Sequence, residues 1–369
     1  MYFDERPKER REDLYDRDRE LELLKRYILD GAPLVLLLGL RRSGKTSLLK
    51  VALSELREPA IFVDCRSLEE RPAVSMLELY SMLEEPVSRL LGRWSKLRSF
   101  LEAVEGVMVH GIEVKFSWSK RKRTSLLELL KAINSWAAEE GRRVILVFDE
   151  GQELAKLRGV RLLPILAYVY DHLRSLTMIF TGSKMGLLYR FLRVEDPSSP
   201  LYGRVRREII LGNFTREQSL DFLRKGFEQV GVSPREEVLE YAVDRLDGVV
   251  GWLTYFGVVA VDRGVNREVV DNVMEEGSRL AWSELENFLK MRAVARRRYL
   301  IMLKRMAEDP ASWSEVKRHL EALDGLISDS DFTLLLKNLL DAGFIERVNG
   351  KYGVADPLLR YAVLHRGAR

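Results

Sequence analysis

Gly39-Leu40-Arg41-Arg42-Ser43-Gly44-Lys45-Thr46 decides how the rest of this chain is read. The stretch fits G-x-x-x-x-G-K-[ST]. It follows an apolar run of strand length, Pro33 to Leu38, and Thr46 to Leu56 continues at helical spacing. Strand, glycine loop and helix in that order make a phosphate cradle. The glycines let backbone N–H groups converge on phosphate oxygens, and the helix N-terminus adds partial positive charge. Lys45 is spaced to reach β and γ phosphates, and the Thr46 hydroxyl to ligate Mg²⁺. Gly39, Leu40, Arg41, Arg42, Ser43, Gly44, Lys45, Thr46 and Ser47 are the expected contacts of the phosphate tail.

Working outward, Ala60 to Asp64, Arg143 to Phe148 and Thr177 to Phe180 are further apolar runs of strand length, with helical stretches between them. That alternation predicts an α/β fold with a parallel sheet covered on both faces. Val107 to Trp118 interrupts the helical stretch as a β-hairpin insertion. The third run ends in Asp149-Glu150, where one acid can hold Mg²⁺ through water and the next can accept a proton from an attacking water. The bland alternative is a solvated acidic pair. The fourth run ends in Thr181-Gly182-Ser183, which sets Ser183 beside a γ-phosphate, although the same residues also make ordinary turns. No Asn-Lys-x-Asp follows a strand, and Asp149-Glu150-Gly151-Gln152 is not D-x-x-G, so adenine is the favoured base. Arg204, in Pro200-Leu201-Tyr202-Gly203-Arg204, is the arginine placed to stabilise transition-state charge, in cis or from a neighbouring subunit.

Composition closes off other classes. Among 369 residues, 60 Lys+Arg nearly balance 56 Asp+Glu, which excludes a histone-like polycation. Apolar residues make up 46%, enough for a sizeable core. The longest uncharged stretch, Gly248 to Val261, has only 14 residues, short of a membrane span. With a charged N-terminus lacking an apolar signal segment, the expectation is a cytoplasmic protein without membrane contact. Cys65 is the single cysteine, and His110, His172, His319 and His365 are scattered, so no cysteine- or histidine-rich metal site is expected.

Past residue 210 the pattern turns to helices alone, broken at Gly231-Val232-Ser233-Pro234 and Asp247-Gly248. Three further helical stretches then precede a hairpin turning at Asn349-Gly350, the order of a winged helix. The expected division is an ATPase-type domain over 1–210, with an insertion at about 66–125, a helical lid over 211–287 and a winged helix over 288–369.

Together these segments resemble the archaeal ATPase family, a branch of the STAND class of P-loop ATPases related to AAA+ proteins. The resemblance covers nearly the whole chain. Leu14-Tyr15-Asp16-Arg17-Asp18-Arg19-Glu20 is similar to the family's box ahead of the P-loop, which implies that Tyr15 and Arg17 lie near the adenine. Asp247-Gly248-Val249-Val250-Gly251-Trp252 is similar to the family's Gly-Gly-x-Pro-Gly-Trp in the lid, with Val250 in place of proline. Trp252 reads as helix core, set near the nucleotide by the break before it. The resemblance implies ATP and ADP as ligands with Mg²⁺, catalytic parts for Lys45, Glu150, Ser183 and Arg204, and metal-site parts for Thr46 and Asp149. It also implies slow hydrolysis that resets a lid and winged-helix switch, with nucleotide-dependent self-association as a further expectation.

From Pro310 to Arg369 eight Lys+Arg face eight Asp+Glu, so a protein partner and DNA are both admissible for the winged helix. The alternative is an ATP-modulated DNA-binding protein resembling archaeal origin initiators. Its DNA candidates are Lys290 to Arg305 and Lys120-Arg121-Lys122-Arg123.

Overall fold

The computed structural model describes residues 1–117 and 124–366. In chain order its first part runs α1 (Asp18–Leu29), β1 (Leu34–Gly39), α2 (Lys45–Leu56), β2 (Ala60–Asp64), α3 (Met76–Arg93) and α4 (Leu97–Glu102). The hairpin β3 (Val107–His110) and β4 (Glu113–Phe116) follows, then α5 (Leu126–Glu139), β5 (Val144–Asp149), α6 (Leu162–His172), β6 (Leu176–Gly182), α7 (Met185–Leu192) and β7 (Arg207–Leu211). β3 and β4 pair antiparallel, as the sequence led us to expect; Trp118, at the end of that expected hairpin, lies outside the described residues.

The main sheet has the order β2-β5-β6-β1-β7 with all neighbours parallel. Every residue of β1, β5 and β6 is buried, which is why these strands read as unbroken apolar runs. Leu34, Leu36 and Leu38 pack on one face with residues of α3 and α5, while Val35 and Leu37 pack on the other with Leu21, Leu24 and Leu48 of α1 and α2. β7 is a strand the sequence did not reveal. It begins Arg207-Glu208 and leaves Ile210 60% exposed, so as a half-wet edge strand it lacks the continuous apolar signature. Because all strands run parallel, the ends of β1, β5 and β6 open on one edge of the sheet, and the site gathers there.

The remainder is helical: α8 (Arg216–Gln229), α9 (Glu236–Leu246), α10 (Val250–Arg263), α11 (Arg267–Lys290), α12 (Arg296–Glu308), α13 (Trp313–Asp324) and α14 (Asp329–Asp341). The hairpin β8 (Ile345–Val348) and β9 (Lys351–Val354) comes next, followed by α15 (Pro357–Arg366), which the sequence did not reveal. The starts are chemically marked: Thr215 with Gln218 and Ser312 with Glu315 form capping boxes. The boundary expected at 287/288 falls inside α11, and one apolar core joins α8–α11 to α12–α15. Lid and winged helix are thus a single packed body. Among the described residues no helix is long and apolar enough to cross a membrane. Cys65 is a buried free thiol, pushed up by burial.

Residues 1–8 strap this body to the sheet. The Phe3 ring is buried against Gly226 of α8 and Gly257 of α10, where any Cβ would overlap it. Its edge meets Phe222 and Phe227. Further along, the Lys8 N–H donates to Ser47 Oγ on α2 at 3.1 Å. Phe3→Ala should therefore lower the unfolding free energy by about 3 kcal/mol, read by urea denaturation; a loss under about 1 kcal/mol would mean the slot is loosely filled.

Candidate active site

β1 delivers the chain to Gly39, and the loop turns into α2 through Gly44, whose φ of +92° favours glycine. No side chain caps α2 and its first turn holds no acid, so its leading N–H groups and dipole are open to an anion. Lys45 folds back over the loop, its Nζ donating to the Gly39 and Leu40 carbonyls at 3.0 and 2.8 Å. Burial pushes Lys45 below the ordinary lysine value, opposed by the carboxylates of Glu150 and Asp149. Ser43 Oγ is buried and has no hydrogen-bond partner among the described residues. An orphaned hydroxyl inside a ring of open N–H groups fits a phosphate-bearing ligand, whose oxygens would satisfy it.

Asp149 ends β5. The Thr46 hydroxyl donates to its Oδ2 at 3.1 Å, and the Thr181 hydroxyl donates to its Oδ1. Burial raises Asp149 above the usual carboxylate range, with the Thr181 bond opposing and the Glu150 charge adding to it. A hydroxyl beside a single carboxylate is a hard-oxygen set, which suits Mg²⁺ shared with phosphate and water. Among the described residues no group of three or more His, Cys, Asp or Glu could hold a metal ion by itself.

Along a strand the side chain after Asp149 would point to the opposite face of the sheet. Glu150 instead takes φ +53°, a left-handed conformation that turns it back. The turn is held by the Glu150 N–H donating to Thr181 Oγ1 at 2.9 Å. Gly151 is required next, because a Cβ there would lie 2.6 Å from the Phe180 ring. Ser183 donates to Glu150 Oε2 through its Oγ at 2.6 Å and its N–H at 3.1 Å, and Gln152 Nε2 donates to the same oxygen at 2.7 Å. Burial pushes the Glu150 carboxyl up, but the Lys45 charge and these hydrogen bonds outweigh it, leaving the group below its ordinary value.

Around the P-loop lies a cavity of about 610 Å³, within the usual range for cofactor-sized ligands. Lys45, Thr46, Ser47 and Glu150 line its polar end. Tyr15, Phe214, Phe222 and Val258 line an apolar end suited to a base. Tyr15 stacks edge-on against Phe214 and Phe222 and donates its hydroxyl to Asp221. Arg17, buried, donates to the Gly212 carbonyl at 2.6 Å and lies 4.8 Å over the Phe214 ring.

Trp252 opens α10 at the cavity wall, and the Arg42 guanidinium sits 4.0 Å over its ring. Arg42 also donates to Glu284 at 2.8 Å, as Arg41 pairs with Glu284 and Glu69. The indole N–H of Trp252 donates to Asp356, whose carboxylate caps α15 by accepting from Leu358 and Leu359. Burial lifts Asp356 above the usual range, against the Arg42 charge and the indole bond. Val250, where the similar family motif has proline, lies 3.7 Å from a Cβ built on Gly44, and the Gly251 N–H donates to the Arg42 carbonyl at 2.9 Å. The segment therefore still presses on the P-loop without its proline.

Two sequence expectations are corrected. Arg204 is not at the site in cis. Arg207 pairs with Val35, at the opposite end of β1 from Gly39, and the Arg204 guanidinium is committed to Asp171 at the end of α6. Ser183 lines a neighbouring cavity and binds Glu150, so it reaches the P-loop cavity through that carboxylate. Sequence reasoning gave no part to Thr181, Gln152 or Asp356. Thr181 could have been found as a hydroxyl at the end of an apolar strand; for Asp356 the only signal was Asp-Pro before a last amphipathic stretch.

Comparison with known proteins gives matching family descriptions. Residues 14–256 match the ATPase domain found predominantly in Archaea, and residues 293–355 match the C-terminal winged helix-turn-helix domain of MCM proteins. The chain is 34% identical to a Walker-type ATPase of Pyrococcus abyssi, with a TM-score of 0.83 over 98% of this chain and 99% of that one. It resembles in fold the ORC2 protein of Aeropyrum pernix, solved in ADPNP–ADP complexes, at 15% identity and a TM-score of 0.61 over 96% and 93% of the two chains. An uncharacterized ATP-binding protein of Methanocaldococcus jannaschii is 26% identical over 238 residues, 63% of this chain. The match spans 65% of that curated relative's length. At about a hundred times its dissociation constant, Mg·ATP should add about 2.7 kcal/mol of stability, seen as a rise in Tm. Lys45→Ala should abolish that rise, whereas an equal rise in both proteins would place the nucleotide elsewhere.

Proposed function

Because this chain belongs to the archaeal ATPase family, we propose that it is a slowly hydrolysing ATP switch of the STAND type, whose nucleotide state governs how its winged helix sits and what that domain engages. The observation that carries this reading is the position of Arg42. One P-loop residue stacks on Trp252, pairs with Glu284 of α11 and lies 4.0 Å from Asp356, the cap of the last helix. A phosphate that rearranges the loop therefore moves a residue built into the winged-helix junction. The other side of the site is touched as well: a Cβ on Gly343, just after α14, would lie 3.0 Å from the Ser183 carbonyl, and Asp341 pairs with Arg190 of α7.

In this scheme Lys45 exchanges its loop carbonyls for β and γ phosphate oxygens. Thr46 and Asp149 hold Mg²⁺, which when bound neutralises charge developing on the phosphates. Thr181 keeps Asp149 aimed at that position. Glu150 accepts the proton of the attacking water. A part for Arg204 requires a second copy of the chain, consistent with nucleotide-dependent self-association. The functional division is proposed as an ATPase domain to about residue 210, followed by a lid and a winged helix that act as one packed body joined through α11.

A protein partner is favoured over DNA. Arg296 pairs with Glu286, and Arg297 and Arg298 share Asp324, so two of these three arginine charges are offset within the chain. The exposed face of α14 presents Asp329, Asp331, Thr333, Leu334 and Lys337, a poor phosphate-binding set. Lys120 to Arg123, the other DNA candidate, lies outside the described residues except as sequence.

Glu150→Gln should retain Mg·ATP affinity and lower kcat by at least about a hundredfold, read by steady-state phosphate release beside equilibrium binding. Unchanged turnover would remove Glu150 from the chemistry.

A further inference from the structure

We infer that Gln152 is a positioning residue for hydrolysis, fixing which carboxylate oxygen of Glu150 faces the nucleotide. The inference rests on the reading of Glu150 as the proton acceptor and assigns the device that aims it. Oε2 of Glu150 receives three hydrogen bonds, from Gln152 Nε2 at 2.7 Å and from the N–H and Oγ of Ser183 at 3.1 and 2.6 Å. A carboxylate oxygen has two lone pairs, so Oε2 is saturated. No described side chain or N–H donates to Oε1. That oxygen is left as the acceptor for a water proton, and Glu150 lines the P-loop cavity.

The donors stand behind Glu150. Gln152 and Ser183 line a separate cavity of about 710 Å³ between the sheet edge and the winged helix, and neither lines the P-loop cavity. Gln152 therefore acts through the carboxylate and not on the nucleotide. Its own mounting is rigid: 4% exposed, it also directs Nε2 toward Glu153 Oε1 at 3.4 Å. Glu153 is in turn held by Lys156 and Lys184 at 2.7 and 3.3 Å.

Gln152 Nε2 meets two carboxylates, Glu150 at 2.7 Å and Glu153 at 3.4 Å, so the orientation of the amide is set by what its nitrogen holds. Without that nitrogen, Ser183 alone restrains Glu150. The carboxylate is then held from one side only and can tilt toward the Lys45 charge, which blurs the separate parts of its two oxygens.

The test uses the full chain with Gln152→Met, which keeps side-chain length and removes both donors. Steady-state hydrolysis of Mg·ATP is read together with equilibrium affinity for ADP alone and for ADP with aluminium fluoride, a mimic of the transferring phosphoryl group. The expected result is a kcat about tenfold lower with KM changed by less than about twofold. Affinity for ADP stays level, while affinity for the aluminium fluoride complex falls about tenfold. In a Glu150→Gln background the same substitution should cause no further loss of that affinity, because the group it aims is gone.

Parental turnover in Gln152→Met, or an undiminished loss in the Glu150→Gln background, would overturn the inference. A parent chain that binds ADP and ATP but releases no phosphate would instead overturn the hydrolytic reading beneath it. Should Gln152→Met fail to fold, Gln152→Asn keeps the amide but shortens its reach by a methylene and must give the same selective loss.

Discussion

The carboxylate of Asp149 is gripped from two sides, by the Thr46 hydroxyl at the start of α2 and by the Thr181 hydroxyl on β6. That double grip sets the geometry of everything around it. Asp149 stands on β5, which does not touch β1; β6 lies between them in the sheet. Thr46 therefore makes the direct link across β6 from the start of α2 to Asp149. Thr181 braces Asp149 from β6 itself, and the same hydroxyl oxygen accepts the Glu150 N–H that holds the left-handed turn. One threonine thus positions both acids. A buried carboxylate without such partners would carry a heavy desolvation penalty.

The second constraint is that the P-loop is not free-standing. Arg42 is itself left-handed, at φ +65°, and its carbonyl and guanidinium both meet the lid. The contacts tying sheet to winged helix are Arg42 on Trp252, Trp252 to Asp356, Arg41 and Arg42 to Glu284, and Arg190 to Asp341. Partly exposed ion pairs contribute about 0–1 kcal/mol each, and a cation over an aromatic ring about 0.5–2 kcal/mol. Their sum, a few kcal/mol, is the size of bias that a differential ligand contact can overcome; inverting a two-state equilibrium from 1:99 to 99:1 takes about 5.5 kcal/mol. The lid and the winged helix share one continuous core, since α11 runs through both.

Much of this was legible in the sequence because fully buried parallel strands announce themselves as unbroken apolar runs, and the glycine loop has fixed spacing. Gly39 to Thr46, Asp149 and Glu150 gather where their order along the chain implied. β7 escaped because an edge strand with a charged start carries half the signal. Arg204 misled for a related reason: sequence order places it shortly after Ser183, but the chain crosses back to the far end of the sheet before entering β7. The link from Trp252 to Asp356 spans 104 positions and depends on how two helices meet, which no local pattern encodes. Nor could spacing alone show that Ser183 bonds Glu150 and does not itself line the P-loop cavity.

The most direct test of the central claim, that phosphate occupancy at the P-loop sets the seating of the winged helix, is a pair of spin labels on Glu139→Cys at the end of α5 and Lys351→Cys on β9. Both positions are exposed, and the native Cys65 is buried away from labelling. Pulsed electron paramagnetic resonance would then compare distance distributions in Mg·ATP and in ADP. A displaced main distance in one state, abolished by Lys45→Ala, is the predicted result; superimposable distributions under saturating ATP and ADP would contradict the account.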